Sequence, residues 1–247
     1  MAATKGKASE PEKFSSAKWP ALGGPESPTV REQLIMLSIE EIMKVGPADF
    51  NSAIPCDRLG VKHPTINYHF GNRDGLIAEA TMWTHDWWVR YLAENVRKAP
   101  RNGKRRLRAF IESEIAWSKM LGGMNLLMHY PHASKGSQAI VSEKFADRMQ
   151  RNFEFNLAIL ATLVIDIRKG TNSSLDFTVE NYPRTELLKH PTAVLTATSL
   201  SWATHGIASW SSGEHIASAN LENQALSKLT TKIAIDNYIK QIIKMAE

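Results

Sequence analysis

The chain has 247 residues, of which 43% are apolar, with a formal net charge of +5 and one cysteine, Cys56. That is enough apolar material for one large or two small packed cores, while a single cysteine excludes an internal disulfide framework and a multi-cysteine metal site. No run approaches the roughly 20 apolar residues of a membrane span, and the N-terminus lacks the apolar stretch of a secretory signal, so a cytoplasmic protein is expected; the net charge permits nucleic-acid binding without establishing it.

Residues 1–27 are rich in Ala, Gly, Ser, Pro and Lys with no sustained hydrophobic period, and read as a disordered tail. A first helix is predicted from about Pro28 to Val45. Thr29 and Glu32 have capping-box spacing, Leu34, Ile35, Leu37, Ile39, Ile42 and Met43 supply its buried side, and Gly46-Pro47 stops it. Phe50 is expected to plug a small core. A second helix follows from Asn51 or Ser52 to Leu59, with Pro55 tolerable only in its first turn, where the backbone amides have no intrahelical partners.

The stretch Arg58 to Leu76, RLGVKHPTINYHFGNRDGL, carries the most information. Gly60 can supply a left-handed turn closing the second helix, Lys62, His63, Pro64 and Thr65 open a third, and Asn67, Tyr68 and His69 follow as amide and ring groups. This is the grammar of a helix-turn-helix, whose second helix presents its first turn to base edges in the major groove. From Val30 to Ala80 the chain resembles the N-terminal domain of the TetR family of transcriptional regulators. The resemblance rests on Gly60-Val61, on Asn67-Tyr68-His69-Phe70, and on Asn72-Arg73-Asp74-Gly75-Leu76 opening a long linking helix; Pro55 departs from the family pattern. It implies an all-α protein in which residues 28–76 read DNA and residues 77–247 form a helical effector-binding and dimerisation domain. Lys62, His63, Pro64 and Thr65 would then face base edges, while Asn67, Tyr68, His69 and Arg73 mainly meet the phosphate backbone. Composition adds little, since residues 28–76 hold five Lys or Arg against six acids. The placement of Lys62 and Arg73 on either side of the third helix matters more.

A long helix is predicted from Asp74 to about Lys98, bearing Trp83, Trp87, Trp88 and Tyr91. Its aromatic stripe can serve as core or as the wall of a ligand pocket. With Trp117, Met124 and Met128 from the next elements, Trp83, Trp87 and Trp88 are the candidate ligand-binding residues, for a small hydrophobic or aromatic effector. The basic run Arg97, Lys98, Arg101, Lys104, Arg105, Arg106 and Arg108 is expected to be a solvated cationic turn. Gln138 to Arg168 reads as one long helix, residues 169–189 as an extended connector, and residues 190–210 and 223–246 as two terminal helices, which in the family form a dimeric four-helix bundle.

His129 and His132 are three apart, but Pro131 lies between them and no local carboxylate or cysteine completes a metal site. There is no phosphate-binding glycine loop, nucleophile elbow or paired-carboxylate motif, and no cofactor or catalytic residue is assigned. The sequence therefore points to a homodimeric DNA-binding regulator, a repressor released from an inverted-repeat operator by a small ligand and nucleoid-associated when bound to double-stranded DNA. The alternative is a helical small-molecule-binding protein or enzyme with a vestigial helix-turn-helix.

Overall fold

The computed structural model describes residues 25–129, 134–212 and 224–247, so most of the predicted tail, His132 and the link between the last two helices lie outside the described residues, as does the side chain of His129. The described residues are helical throughout, without a strand. Helix α1 spans Val30–Asp49, α2 Ala53–Leu59, α3 Pro64–Phe70 and α4 Arg73–Lys98. The capping box forms: the Glu32 amide donates to Thr29 Oγ1 at 3.3 Å and the Thr29 amide to Glu32 Oε2 at 2.7 Å. Gly46 leaves helical geometry at φ 81°, and Pro47 starts one final turn that the sequence reading had not extended to Asp49. Pro55 sits in the first turn of α2, where its missing N–H costs no bond. Cys56, 1% exposed, joins the core shared by α1 and α2.

Gly60 closes α2 at φ 72°, and the amide of Val61 returns to Cys56 O at 3.0 Å. Helix α3 buries Ile66 and Phe70 inward. Gly71 turns the chain at φ 79°, Asn72 caps α4 by accepting the Gly75 amide at 2.8 Å, and a side chain at Gly75 would run into Phe70 O. The 26 residues of α4 then extend about 39 Å at 1.5 Å per residue.

Helix α5, Gly103–Leu121, folds back along α4 and passes through a 3-10 turn at Gly122–Met124 into the short α6, Asn125–His129. Helices α7, Lys135–Lys144, and α8, Ala146–Lys169, occupy the region predicted as one helix. They break at Phe145 (φ −126°, ψ 7°), whose ring packs beside Ile140 and Met149 against a small cluster of Ala78, Met82 and Val141. The break lets α7 lie on the first half of α4 while α8 follows its second half. A connector with the one-turn α9, Arg184–Leu187, leads to α10, Pro191–Ser212, which packs on α5 and α8, and α11, Gln224–Ala246, lies against α10 and α5. One continuous apolar core runs from Leu34 to Ala246.

A polar seam crosses that core around α4. Arg148 pairs with Asp86, which also accepts from Asn152 Nδ2 at 2.6 Å, and Asn152 reaches His85 Nδ1 at 3.1 Å. The Trp88 indole lies edge-on between the rings of His85 (5.0 Å) and His205 (5.5 Å) and donates from Nε1 to Glu114 Oε2 at 2.5 Å. Glu114, 2% exposed, also stands 3.4 Å from His205 Nδ1. Burial pushes the Glu114 carboxyl above its usual range, against the pull of His205 and Trp88, and burial lowers His85 to about 4.

Two predictions follow from packing and charge. Gly122, at φ 50°, lies so close to the end of α1 that an added Cβ would meet Met43 O, so Gly122→Ala should lower unfolding free energy by about 1–3 kcal/mol in chemical denaturation. For Glu114 the folded state holds its proton to higher pH than the unfolded chain, so its share of stability falls as pH rises from the ordinary carboxylate range. His85 acts oppositely: its folded pKa is depressed, and stability is lost as pH falls from about 6.5 towards 4. Glu114→Gln removes only the first slope, so the variant should gain on wild type as pH rises from 5 to 8. A difference independent of pH would show that Glu114 titrates normally.

Candidate nucleic-acid interface

The inward anchors of α3, Ile66 and Phe70, determine what its outer face presents. With both buried, Lys62, His63, Pro64, Asn67 and Tyr68 stand in solvent and Thr65 and His69 are half-buried. Tyr68 is 85% exposed, the most exposed of the large hydrophobic side chains among the described residues, with its ring edge-on to His69 at 4.9 Å. An aromatic this open gains little from the core. His63 is steadied from behind by Ser52 Oγ, 3.2 Å from its Nε2. Seven of the eight predicted DNA-facing residues therefore lie on one surface, formed by the turn before α3 and by α3 itself.

Arg73 is placed differently. Its Nε donates to Phe50 O at 3.0 Å, its terminal nitrogen reaches Pro47 O at 2.7 Å and Ala48 O at 3.4 Å, and its guanidinium lies over the Phe50 ring at 5.6 Å. Those carbonyls lack helical partners because α1 ends at Asp49 and Phe50 is extended, so Arg73 completes the end of α1, and its expected phosphate contact competes with that task. Two further arginines that the sequence reading left unassigned frame the same unit. Arg31 pairs with Glu79 at 2.6 Å and lies over Phe70, and Arg58 pairs with Glu40 at 2.9 Å. Neither signal was visible locally, because the partners lie 48 and 18 residues away. Burial, then the neighbouring Asp57, pushes the Cys56 thiol upward, which keeps it protonated and poorly nucleophilic.

The six candidate ligand residues fall into different settings. Trp87, Trp88, Trp117 and Met124 are at most 3% exposed and belong to the core, and Met128 packs against it. Trp83 and Trp87, edge to face at 5.9 Å, line a cleft of about 340 Å³ together with Glu32, Asp86, Arg90 and Arg148. That lining is more charged than a site for a purely apolar ligand requires. The basic run is not simply solvated either. Arg106, 4% exposed, donates to Ser173 O, Arg97 to Leu175 O and Phe177 O, Arg108 pairs with Asp236 and Lys104 with Glu247. The run is exposed at Arg97, Lys98, Arg101, Lys104 and Arg105, as expected, and four of its members also clamp onto the connector and α11; the clamped groups lie 67 to 143 residues away in the chain, beyond any local pattern. Among the described residues no group of three or more His, Cys, Asp or Glu is arranged to hold a metal ion, and no helix is long and apolar enough to cross a membrane.

No protein-family model matches this chain, and no curated protein does. Its structure is similar to the crystal structure of a "putative transcriptional regulator" from Pseudomonas aeruginosa PAO1, with a TM-score of 0.52 and 18% identity over 94% of this chain and 93% of that one. The likeness spans both the α1–α3 unit and the helices behind it, and establishes a shared all-helical fold.

Proposed function

We propose that this protein is a sequence-specific DNA-binding transcriptional regulator of the TetR type, with residues 28–76 as reader and residues 77–247 as effector-binding and dimerisation domain. The observation that carries the reading is the outward face of α3: a seven-residue helix anchored by two buried side chains and presenting Lys62, His63, Pro64, Asn67 and Tyr68 to solvent. The fold shared with a protein described as a transcriptional regulator supports it. Lys62, His63, Pro64 and Thr65 read base edges, and Asn67, Tyr68 and His69 hold the phosphate backbone.

A helix of this length covers too few base pairs for selectivity alone, so two copies must act together. Apolar side chains on the terminal helices supply the surface. Leu195 and Trp202, seven residues apart on α10, are 68% and 69% exposed, and Ile233, Tyr238 and Met245 are open on α11. A second copy of the chain covering this face gives a two-fold dimer and an inverted-repeat operator. A small hydrophobic ligand that prefers one setting of α4 releases the repressor from that operator.

Electrophoretic shift and fluorescence anisotropy on a duplex selected from a randomised pool test the reader. Lys62→Ala and His63→Ala should each cost about 1–3 kcal/mol and relax base preference, whereas Asn67→Ala should weaken all sequences alike. Tyr68→Phe should lower affinity without changing preference. Selection that yields no salt-sensitive binding would favour a ligand-binding protein with a vestigial reader. In light scattering at micromolar concentration the wild type should be a dimer and Trp202→Glu a monomer; an unchanged dimer would place the interface elsewhere.

A further inference from the structure

The segment between α8 and α10 is built as a fixed wall. At its start Asp166, 1% exposed, accepts from Thr171 Oγ1 (2.7 Å) and from Ser173 N and Oγ (2.9 and 2.7 Å). Arg106 holds Ser173 O at 2.8 Å, and Arg97 holds Leu175 O at 2.9 Å and Phe177 O at 2.6 Å. The amides of Thr178 and Asn181 each donate to the other's carbonyl at 3.0 and 3.1 Å, closing a turn, and the Tyr182 hydroxyl then donates to Glu154 on α8. Held in this way, the segment arches over a cleft of about 620 Å³ instead of collapsing onto α8. That volume lies within the roughly 300–1,000 Å³ typical of small-molecule sites.

The lining specifies a ligand type. Ile165, Phe177 and Leu187 provide apolar contact, with the Phe177 ring set edge-on against Phe155 at 5.8 Å, while Lys169, Asn181 and His190 stand among the polar lining groups. The carboxylates of the lining have local partners: Glu186 takes Lys189 at 2.7 Å, which with Lys169 and His190 nearby keeps its carboxyl below the usual range, and Asp176 takes the Ser174 hydroxyl. Lys169, one residue before the Gly170 cap of α8, is the one ammonium in the cleft's lining; its side chain is exposed and acts on Glu186 across the cleft. We propose that this cleft is the effector site and that it takes a small apolar monoanion, an aromatic carboxylate in chemical class. The effector role rests on the regulator reading above. Phe177 is coupled to the reader because its carbonyl is held by Arg97 in the last turn of α4, the helix whose first residue is Arg73. A ligand seated on Phe177 with unequal affinity for two settings of the wall shifts α4 between them.

The test uses the full chain and 1-anilinonaphthalene-8-sulfonate as fluorescent probe, competed with naphthalene-2-carboxylate or with 2-naphthylmethylammonium. The carboxylate should displace the probe and the ammonium should not. Lys169→Gln, at an exposed position, should weaken the carboxylate roughly tenfold, the scale of one charge-assisted hydrogen bond. Leu187→Trp should abolish binding by filling the cleft, and Phe153→Ser, at an exposed aromatic of α8 outside the lining, should leave it unchanged. Equal displacement by both competitors, wild-type binding in Lys169→Gln, or loss of the signal in Phe153→Ser alone would overturn the site. Saturating naphthalene-2-carboxylate should also change affinity for the selected duplex; binding in the cleft with no such change would overturn the effector role. Failure to select any duplex would defeat the regulator reading, and the displacement arm would still decide the site.

Discussion

Arg73 is the contact on which the arrangement of the reader depends. It is the first residue of α4 and follows α3 by two residues, yet its guanidinium is spent on three carbonyls at the broken end of α1. A planar fork with several donors suits such a cluster, where a lysine would satisfy fewer of them. The contact ties the first turn of α4, just after α3, to the end of α1. Arg97 does the same at the other end of α4, where it grips two carbonyls of the connector. One helix is therefore fastened by an arginine at each end, to the α1–α3 unit and to the wall of the cleft of about 620 Å³.

Between those ends the polar seam governs how the other helices seat around α4. Buried charges add little net stability after desolvation, but breaking one partner is costly, so such groups act mainly to select one arrangement. Asp86 ties α8 to α4 through Arg148 and Asn152, and Glu114 joins α5 to Trp88 of α4 and to His205 of α10. A slide of any of these helices by one turn would strand a buried carboxyl. The aromatic stripe of α4 thus belongs partly to this seam: Trp88 contributes its N–H as well as its surface.

How far the sequence revealed the molecule depended on the range of each signal. The capping box at Thr29 and Glu32, the left-handed turn at Gly60 and the ends of α4 were legible because caps and turns are set by residues three or four apart. The outward face of α3 followed from the same local pattern. The break at Phe145 was not legible, since nothing in that stretch is a helix breaker and the kink is stabilised by Ala78 and Met82, more than sixty residues earlier. The basic run is solvent-facing at most of its positions, as its charge implied, but the burial of Arg106 and the reach of Arg97 to the connector were not legible, because the carbonyls of residues 173–177 lie far along the chain. Trp117 and Met124 are buried, and burial alone does not separate a core side chain from a pocket wall, which is what the apolar pattern also left open.

The length of α4 gives the double fastening its mechanical meaning. A rigid helix of about 39 Å that tilts by about 5° around its distal end displaces the reader by about 3 Å. In the proposed two-fold pair the displacement would double, against half-sites about 34 Å apart. Because Arg73 ties the start of α4 to the end of α1, such a displacement would carry the α1–α3 unit with it. Because Arg97 grips main-chain carbonyls, the far end answers to the course of the connector rather than to any one side chain there. Under the proposed function, a small shift of residues 175–177 would be geometrically sufficient to move paired α3 helices out of register, provided the core around the polar seam moves as a unit.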